Sequence, residues 1–288
     1  MMKKNKLSSG RRNFIKKTVL GTAAIATTSI SALGANVNFS DKSSLLFNVK
    51  LGVASYTLRK FSTEKALDMT LRCGLNRMTF KSMHLPLDSG VNTIKKTVKL
   101  CKDKGVELYG AGVIYMKSEK DVDQAFEYAK AAEMEMIIGV PNHELLEYVE
   151  GKVKQTDIKL AIHNHGPGDK LYPSAESAYI LIKDMDPRMG LCIDIGHTKR
   201  IGRDPEQDVK EYFDRVFDIH LKDVTAAKAD GKTCIIGRGV IDFPKFLESV
   251  INLQYKGTLA LEYEAEANDP LPGMAESIGY IKGILATI

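Results

Sequence analysis

Tryptophan is absent from this chain, and aromatic residues of all kinds make up only 7% of its 288 residues. Cysteine is scarce too: Cys73, Cys101, Cys192 and Cys234 are scattered, with no CxxC pair among them. That excludes a zinc ribbon, a thioredoxin-type redox motif and a disulfide scaffold. A chain of this length buries a core without staples, so the four thiols are expected to be free and buried. No GxGxxG turn opens a βα unit, which removes the dinucleotide signature of a doubly wound sheet. Neither an internal repeat nor a low-complexity tract is present, so a solenoid is excluded as well.

Acidic residues are missing from the first 40 positions, where Lys3, Lys4, Lys6, Arg11, Arg12, Lys16 and Lys17 place seven cations. The formal charge of +5 is therefore local, and the rest of the chain carries about −2. A mildly acidic body has no general attraction for a phosphate backbone, so nucleic acid is not an expected partner. The run Ser9-Gly10-Arg11-Arg12-Asn13-Phe14-Ile15-Lys16-Lys17, an apolar stretch to Leu33 and the small-residue exit Ala32-Leu33-Gly34 resemble a twin-arginine export signal. The stretch is weaker than the ~20 strongly apolar residues of a membrane span, so no stable span is expected after processing. The expected organisation is a signal over 1–34, a linker over 35–49 and one catalytic domain over 50–288, in a periplasmic or otherwise exported protein.

Eight β-prone apolar runs recur along that domain, at 51–56, 75–80, 106–113, 136–140, 159–164, 190–194, 216–221 and 258–263. Segments with apolar residues at three- and four-residue intervals separate them. Such alternation implies a parallel sheet with helices outside, and eight units close into a (β/α)8 TIM barrel. In that fold the chemistry sits where strands end at the C-terminal face. Five of the six histidines, His84, His163, His165, His197 and His220, fall at such ends, and only His143 lies elsewhere. Asp194, His220 and Glu262 leave the sixth, seventh and eighth runs, and together offer the carboxylate and imidazole ligands of a divalent ion with open positions. Taken singly, Asp194 also reads as a helix cap and Glu262 as a surface carboxylate. Tyr56, Tyr109 and Tyr115, near the ends of runs one and three, suit either sugar stacking or core packing.

Asp194-Ile195-Gly196-His197, His220-Leu221-Lys222-Asp223, Gly237-Arg238-Gly239 and Leu261-Glu262 resemble, in order, the strand-end motifs of the xylose-isomerase-like TIM-barrel superfamily, among them keto-sugar epimerases and inosose dehydratases. The resemblance covers about residues 50–288. It implies that Asp194, His220 and Glu262 bind metal, that His197 holds a substrate oxygen and that Arg238 reaches the substrate from its loop. Related epimerases carry a metal-binding Glu on strand five, aligned here with Ala161. His163 or His165 then supplies the fourth ligand; His165, nearer the mouth, is taken as that ligand and His163 as a substrate contact. Two imidazoles with two carboxylates suit Mn²⁺, Zn²⁺, Co²⁺ or Fe²⁺ better than Mg²⁺.

Without a second metal-bound glutamate the two-faced proton exchange of an epimerase is impaired. What remains is a metal that stabilises an enolate, Glu262 or Glu264 as base, and Lys81, His84, Lys222 or His197 as acid, with Tyr56 beside the substrate. That set suits isomerisation or β-elimination next to the carbonyl of a small keto sugar or oxidised glycoside. Lys81 also reads as a salt-bridge partner, and Lys222 as the partner of Asp223. Three alternatives are a sugar epimerase, a periplasmic sugar-binding protein on a degenerate barrel, and a nuclease resembling endonuclease IV. The last needs three metals and a basic face that this chain does not show.

Overall fold

The computed structural model describes residues 49–288. The expected export signal, and all of the expected linker but its final residue, lie outside the described residues. Eight parallel strands close a barrel: β1 (Lys50–Ala54), β2 (Arg77–Phe80), β3 (Glu107–Met116), β4 (Met136–Pro141), β5 (Lys159–His163), β6 (Met189–Asp194), β7 (Val216–Leu221) and β10 (Thr258–Leu261). β1 pairs with both β10 and β2, which completes the ring. A short hairpin of β8 (Asp223–Val224) and β9 (Thr233–Cys234) leaves the mouth after β7.

Each expected apolar run overlaps one barrel strand, so the (β/α)8 reading holds. Two ends differ. β1 stops at Ala54 because Ser55–Leu58 winds into one 3₁₀ turn. β3 continues to Met116, with a register shift against β4 between Gly112 and Ile114. Outside the barrel run α1 (Thr63–Arg72), α2 (Val91–Asp103), α3 (Glu119–Ala131), α4 (Leu146–Thr156), α5 (Ala175–Ile182), α6 (Ile195–Arg200), α7 (Pro205–Glu211), α8 (Phe243–Asn252) and α9 (Leu271–Leu285). Their starts are chemically marked. Ser62, Ser118, Ser174, Asp194 and Asp242 each accept a hydrogen bond from a backbone N–H of the first turn, a cap worth about 1 kcal/mol. α8 buries Phe243, Phe246, Leu247 and Val250 on one face, and burying a side chain such as Leu247 contributes roughly 1.5–3 kcal/mol. No helix among the described residues is long and apolar enough to cross a membrane.

The two mouths differ in kind. At the N-terminal one, a cleft of about 320 Å³ is lined by the first residues of several strands, including Lys50, Arg77, Met136, Lys159 and Thr258. Arg77 is saturated there: it pairs with Glu107 and Glu135, donates to Thr258 Oγ1 at 2.8 Å and lies over the Tyr109 ring. That mouth closes the barrel floor. All four cysteines are free; Cys73, Cys101 and Cys192 are buried, while Cys234 in the hairpin is partly exposed, contrary to the expectation of four buried thiols.

Candidate metal centre and sugar site

Alternation along β7 sends Asp218 and His220 into the barrel, and the same parity carries Lys222 inward just past the strand end. All three are buried. His163 from β5, Asp194 from β6, His220 from β7 and Glu262 just after β10 bring their ligand atoms within 4.8 Å of one another. His163 Nε2 lies 3.1 Å from His220 Nδ1, which lies 3.3 Å from Glu262 Oε2.

Neighbouring side chains hold these groups in place, among them Asn164 and Thr57, which sequence reasoning did not single out. Asn164 accepts from the Asp194 N–H at 2.9 Å and donates to the Asp194 carbonyl at 3.3 Å. Asp194 Oδ1 caps α6 through the His197 N–H at 2.8 Å, leaving Oδ2 to the cluster, so the cap and the ligand readings of Asp194 both apply. Thr57 donates to the Leu261 carbonyl and accepts from the Tyr263 N–H, clamping the chain on both sides of Glu262. A second clamp is Asp223, which accepts from the N–H groups of Gly237 and Gly239 at 2.9 and 3.0 Å. A side chain at Gly239 would strike the Asp223 carboxylate at 2.2 Å, so that position has room only for glycine.

The fourth member of the cluster is His163, where the sequence favoured His165. Ala161, aligned with a ligand position, lies one inward step deeper on β5, level with Gly190 of β6, and is fully buried. His163, next along the same face, is the residue that meets His220. His165 sits nearer the rim, where its Nε2 is 3.0 Å from the Tyr115 hydroxyl and its ring stacks on Tyr115.

Lys222 occupies the centre of the charge arrangement. Its ammonium lies 2.8 Å from Asp194 Oδ2, 2.9 Å from Glu262 Oε2 and 2.8 Å from Glu264 Oε1. Asp223, the partner that adjacency in sequence suggested, is instead committed to its loop. The stem of Lys222 passes against Gly196, where an added Cβ would stand 2.6 Å from Lys222 Cγ. Burial works against the Lys222 charge, but the three carboxylates outweigh it and hold the ammonium well above its ordinary range. Burial likewise opposes the Glu262 charge, and Lys222 and His220 overcome it, keeping the carboxyl well below its ordinary range. His220 is pulled down by burial yet raised on balance by Glu262, Asp218 and Asp194. Burial dominates at His163, which stays neutral, and at His197, lowered to about 4. Three carboxylates around one ammonium leave an excess of about two negative charges, which a divalent cation balances. Two neutral-capable imidazoles and two carboxylates are also the donor set for such an ion, so the residues fit a bound divalent metal.

The walls hold the other expected residues, with three exceptions. Lys81 lies over the Tyr56 ring at 4.7 Å, and burial lowers its pKa despite Glu262 and Glu264. Arg59 lies over the same ring and donates to the Glu264 carbonyl at 2.7 Å. His197 Nε2 is 3.5 Å from Lys222 Nζ, and its Nδ1 faces Arg200. Tyr109 belongs to the core and donates to Asp218 at 2.7 Å. His84, expected as an acid, is 3% exposed with both ring nitrogens buried, and packs beside Phe80; its loop folds inward under α1, where Thr63 donates to the His84 carbonyl. Arg238, expected to reach the substrate, is forked onto Glu276 of α9 at 2.6 and 2.8 Å.

Residues 67–284 match the family described as xylose isomerase-like TIM barrel. Over 80% of this chain and 73% of its own length, inosose dehydratase 2 of Bacillus cereus is 26% identical. The rhizopine catabolism protein MocC of Rhizobium meliloti is 26% identical over 144 residues, 45% of this chain. Several of the curated relatives align over less than half of their own length, MocC over 44%. Among solved structures, an L-ribulose 3-epimerase superposes with a TM-score of 0.68 at 15% identity, over 83% of this chain and 95% of its own. With its closed eight-stranded barrel and strand-end cluster, this chain belongs to the xylose isomerase-like TIM barrel family.

Proposed function

We propose that this protein is a metal-dependent carbohydrate lyase or isomerase, acting by proton abstraction next to a sugar carbonyl. The observation that carries the reading is the convergence of His163, Asp194, His220 and Glu262 within 4.8 Å at the C-terminal mouth, with Lys222 among their carboxylates. Relatives named as inosose dehydratases support carbohydrate chemistry of this kind. His163, Asp194, His220 and Glu262 would hold the ion, and their donor set would favour Mn²⁺, Zn²⁺, Co²⁺ or Fe²⁺ over Mg²⁺. Such an ion would supply Lewis acidity toward the substrate carbonyl, which acidifies the C–H on the adjacent carbon.

The chain's own groups divide the remaining work. Glu262, kept ionised by Lys222 and His220, takes the proton, with Glu264 beside it as relay to solvent. Lys222, whose charge is tightly held, orients the carboxylates and is a poor donor. Lys81, whose burial makes its proton easier to release, is the better acid for a departing or re-forming hydroxyl. Neutral His197 hydrogen-bonds a substrate oxygen, and Tyr56 fixes Lys81 from below. Strand five has Ala161 at the position aligned with a second carboxylate base and offers the His163 imidazole one inward step farther along, so one-sided elimination or isomerisation suits the site better than epimerisation. The twin-arginine segment and acid-free start support an exported protein working on small carbohydrates.

Incubating the metal-loaded protein with keto sugars and oxidised glycosides, and following products by NMR, tests this reading. An unsaturated or isomerised product supports it; an inverted stereocentre as the only product would transfer the assignment to an epimerase, and no product from any carbonyl-bearing sugar rejects it.

A further inference from the structure

The reacting ring of a substrate has to lie over the buried cluster, yet the mouth extends beyond it along a row of rings. From His220 the centroids step 4.8 Å to His163, 4.5 Å to His165 and 5.5 Å to Tyr115. Tyr115 is 47% exposed; its partial burial, followed by the carboxylates of Asp169 and Glu262, raises its phenol above the ordinary range. It is also braced. One face stacks on His165 at an interplanar angle of 28°, and its hydroxyl meets His165 Nε2 at 3.0 Å. His165 is in turn fixed by a hydrogen bond from its N–H to the Tyr172 carbonyl, in a loop that Asp169 closes by accepting from Leu171 and Tyr172. Tyr56, the other ring of the mouth, carries Arg59 and Lys81 on it. An aromatic ring left half open to water, yet pre-set by a supporting shell, is the arrangement that binds the flat C–H face of a ring at little ordering cost.

Resting on the reading above, we infer that Tyr115 is the platform of an outer subsite and that the substrate is an oxidised glycoside of at least two rings. The ring bearing the carbonyl sits over Glu262 and the cluster, and the ring joined to it stacks on Tyr115. His163 and His165 stand between His220 and Tyr115 in the row of centroids, and the glycosidic linkage is assigned to the stretch across them. Tyr115 is thus a specificity-determining residue that touches the part of the substrate that does not react.

Two measurements test this. In kinetics, the metal-loaded wild type, Tyr115→Ala and Tyr115→Phe are compared on an oxidised disaccharide and on the matching oxidised methyl glycoside. The ratio of kcat/KM for the disaccharide over the methyl glycoside should fall about tenfold in Y115A, through KM, and be largely restored in Y115F, which keeps the ring. An unchanged ratio in Y115A overturns the subsite. The second measurement is calorimetric titration with the unoxidised disaccharide, an aryl glycoside and the methyl glycoside, which needs no turnover and stands even if the proposed reaction fails. Tighter binding of the disaccharide than of the methyl glycoside, lost in Y115A, supports the subsite. Equal binding of the two by wild type rejects it, and preference for the aryl glycoside alone replaces the second sugar by an aromatic aglycone.

Discussion

The Lys222 ammonium stands 2.9 Å from Glu262 Oε2, on the same oxygen that lies 3.3 Å from His220 Nδ1. Lys222 therefore neutralises part of the carboxylate cluster that the proposed metal would complete. Replacing it with Met should leave Asp194, Glu262 and Glu264 under-compensated in a buried place. The metal-free variant should lose about 3–5 kcal/mol of stability. Added divalent ion should stabilise Lys222→Met more than wild type. Chemical denaturation with and without metal checks both; equal metal responses in the two proteins would contradict the shared-oxygen geometry.

His163 and His165 offer a direct comparison between the sequence expectation and the folded cluster. His163→Ala should reduce metal affinity by at least tenfold, whereas His165→Ala should leave bound metal at one ion per chain. Elemental analysis after dialysis against a weak chelator reads this. Loss of metal in the His165 variant alone would restore the sequence-based assignment.

Acidification provides a third test. His197 has a folded-state pKa of about 4 against an ordinary value near 6.5, with burial as the main cause. The unfolded chain thus takes up the proton first, so the His197 contribution is intact above about pH 6.5 and is lost as pH falls toward 4. Charging His197 also sets a cation beside Lys222 and Arg200. Thermal denaturation between pH 7 and pH 5 should therefore show a fall in Tm of several degrees, smaller in His197→Asn. An equal fall in both proteins would assign the acid sensitivity to other groups.

Much of this arrangement was legible before folding. Eight apolar runs with helical spacers specify a parallel barrel because each strand, buried on both faces, must be mostly apolar, and most polar residues then gather toward its ends. Period two along β7 already places Asp218, His220 and Lys222 on one face, and the motif order gathers Asp194, His220 and Glu262. Which of two same-parity histidines lies level with His220 was not legible, because β5 depth depends on barrel stagger and not on its own sequence. Nor was the fate of long side chains. Lys222 passes over its neighbour Asp223 to reach three carboxylates, Arg238 turns to Glu276, and His84 folds under its loop; each choice is set by tertiary partners far along the chain.

Proton abstraction by Glu262 is the centre of the account, and hydrogen exchange measures it without requiring the natural substrate. The metal-loaded protein is incubated in D₂O with a keto sugar or oxidised glycoside, and deuterium at the carbon next to the carbonyl is followed by NMR. Wild type should introduce deuterium at that carbon, and Glu262→Gln, compared at metal concentrations that saturate each protein because Glu262 is also a proposed ligand, should slow the exchange by at least about a hundredfold, the usual scale of a general base. Turnover without deuterium entering substrate or product, or exchange that persists in the Glu262→Gln protein, would contradict the mechanism.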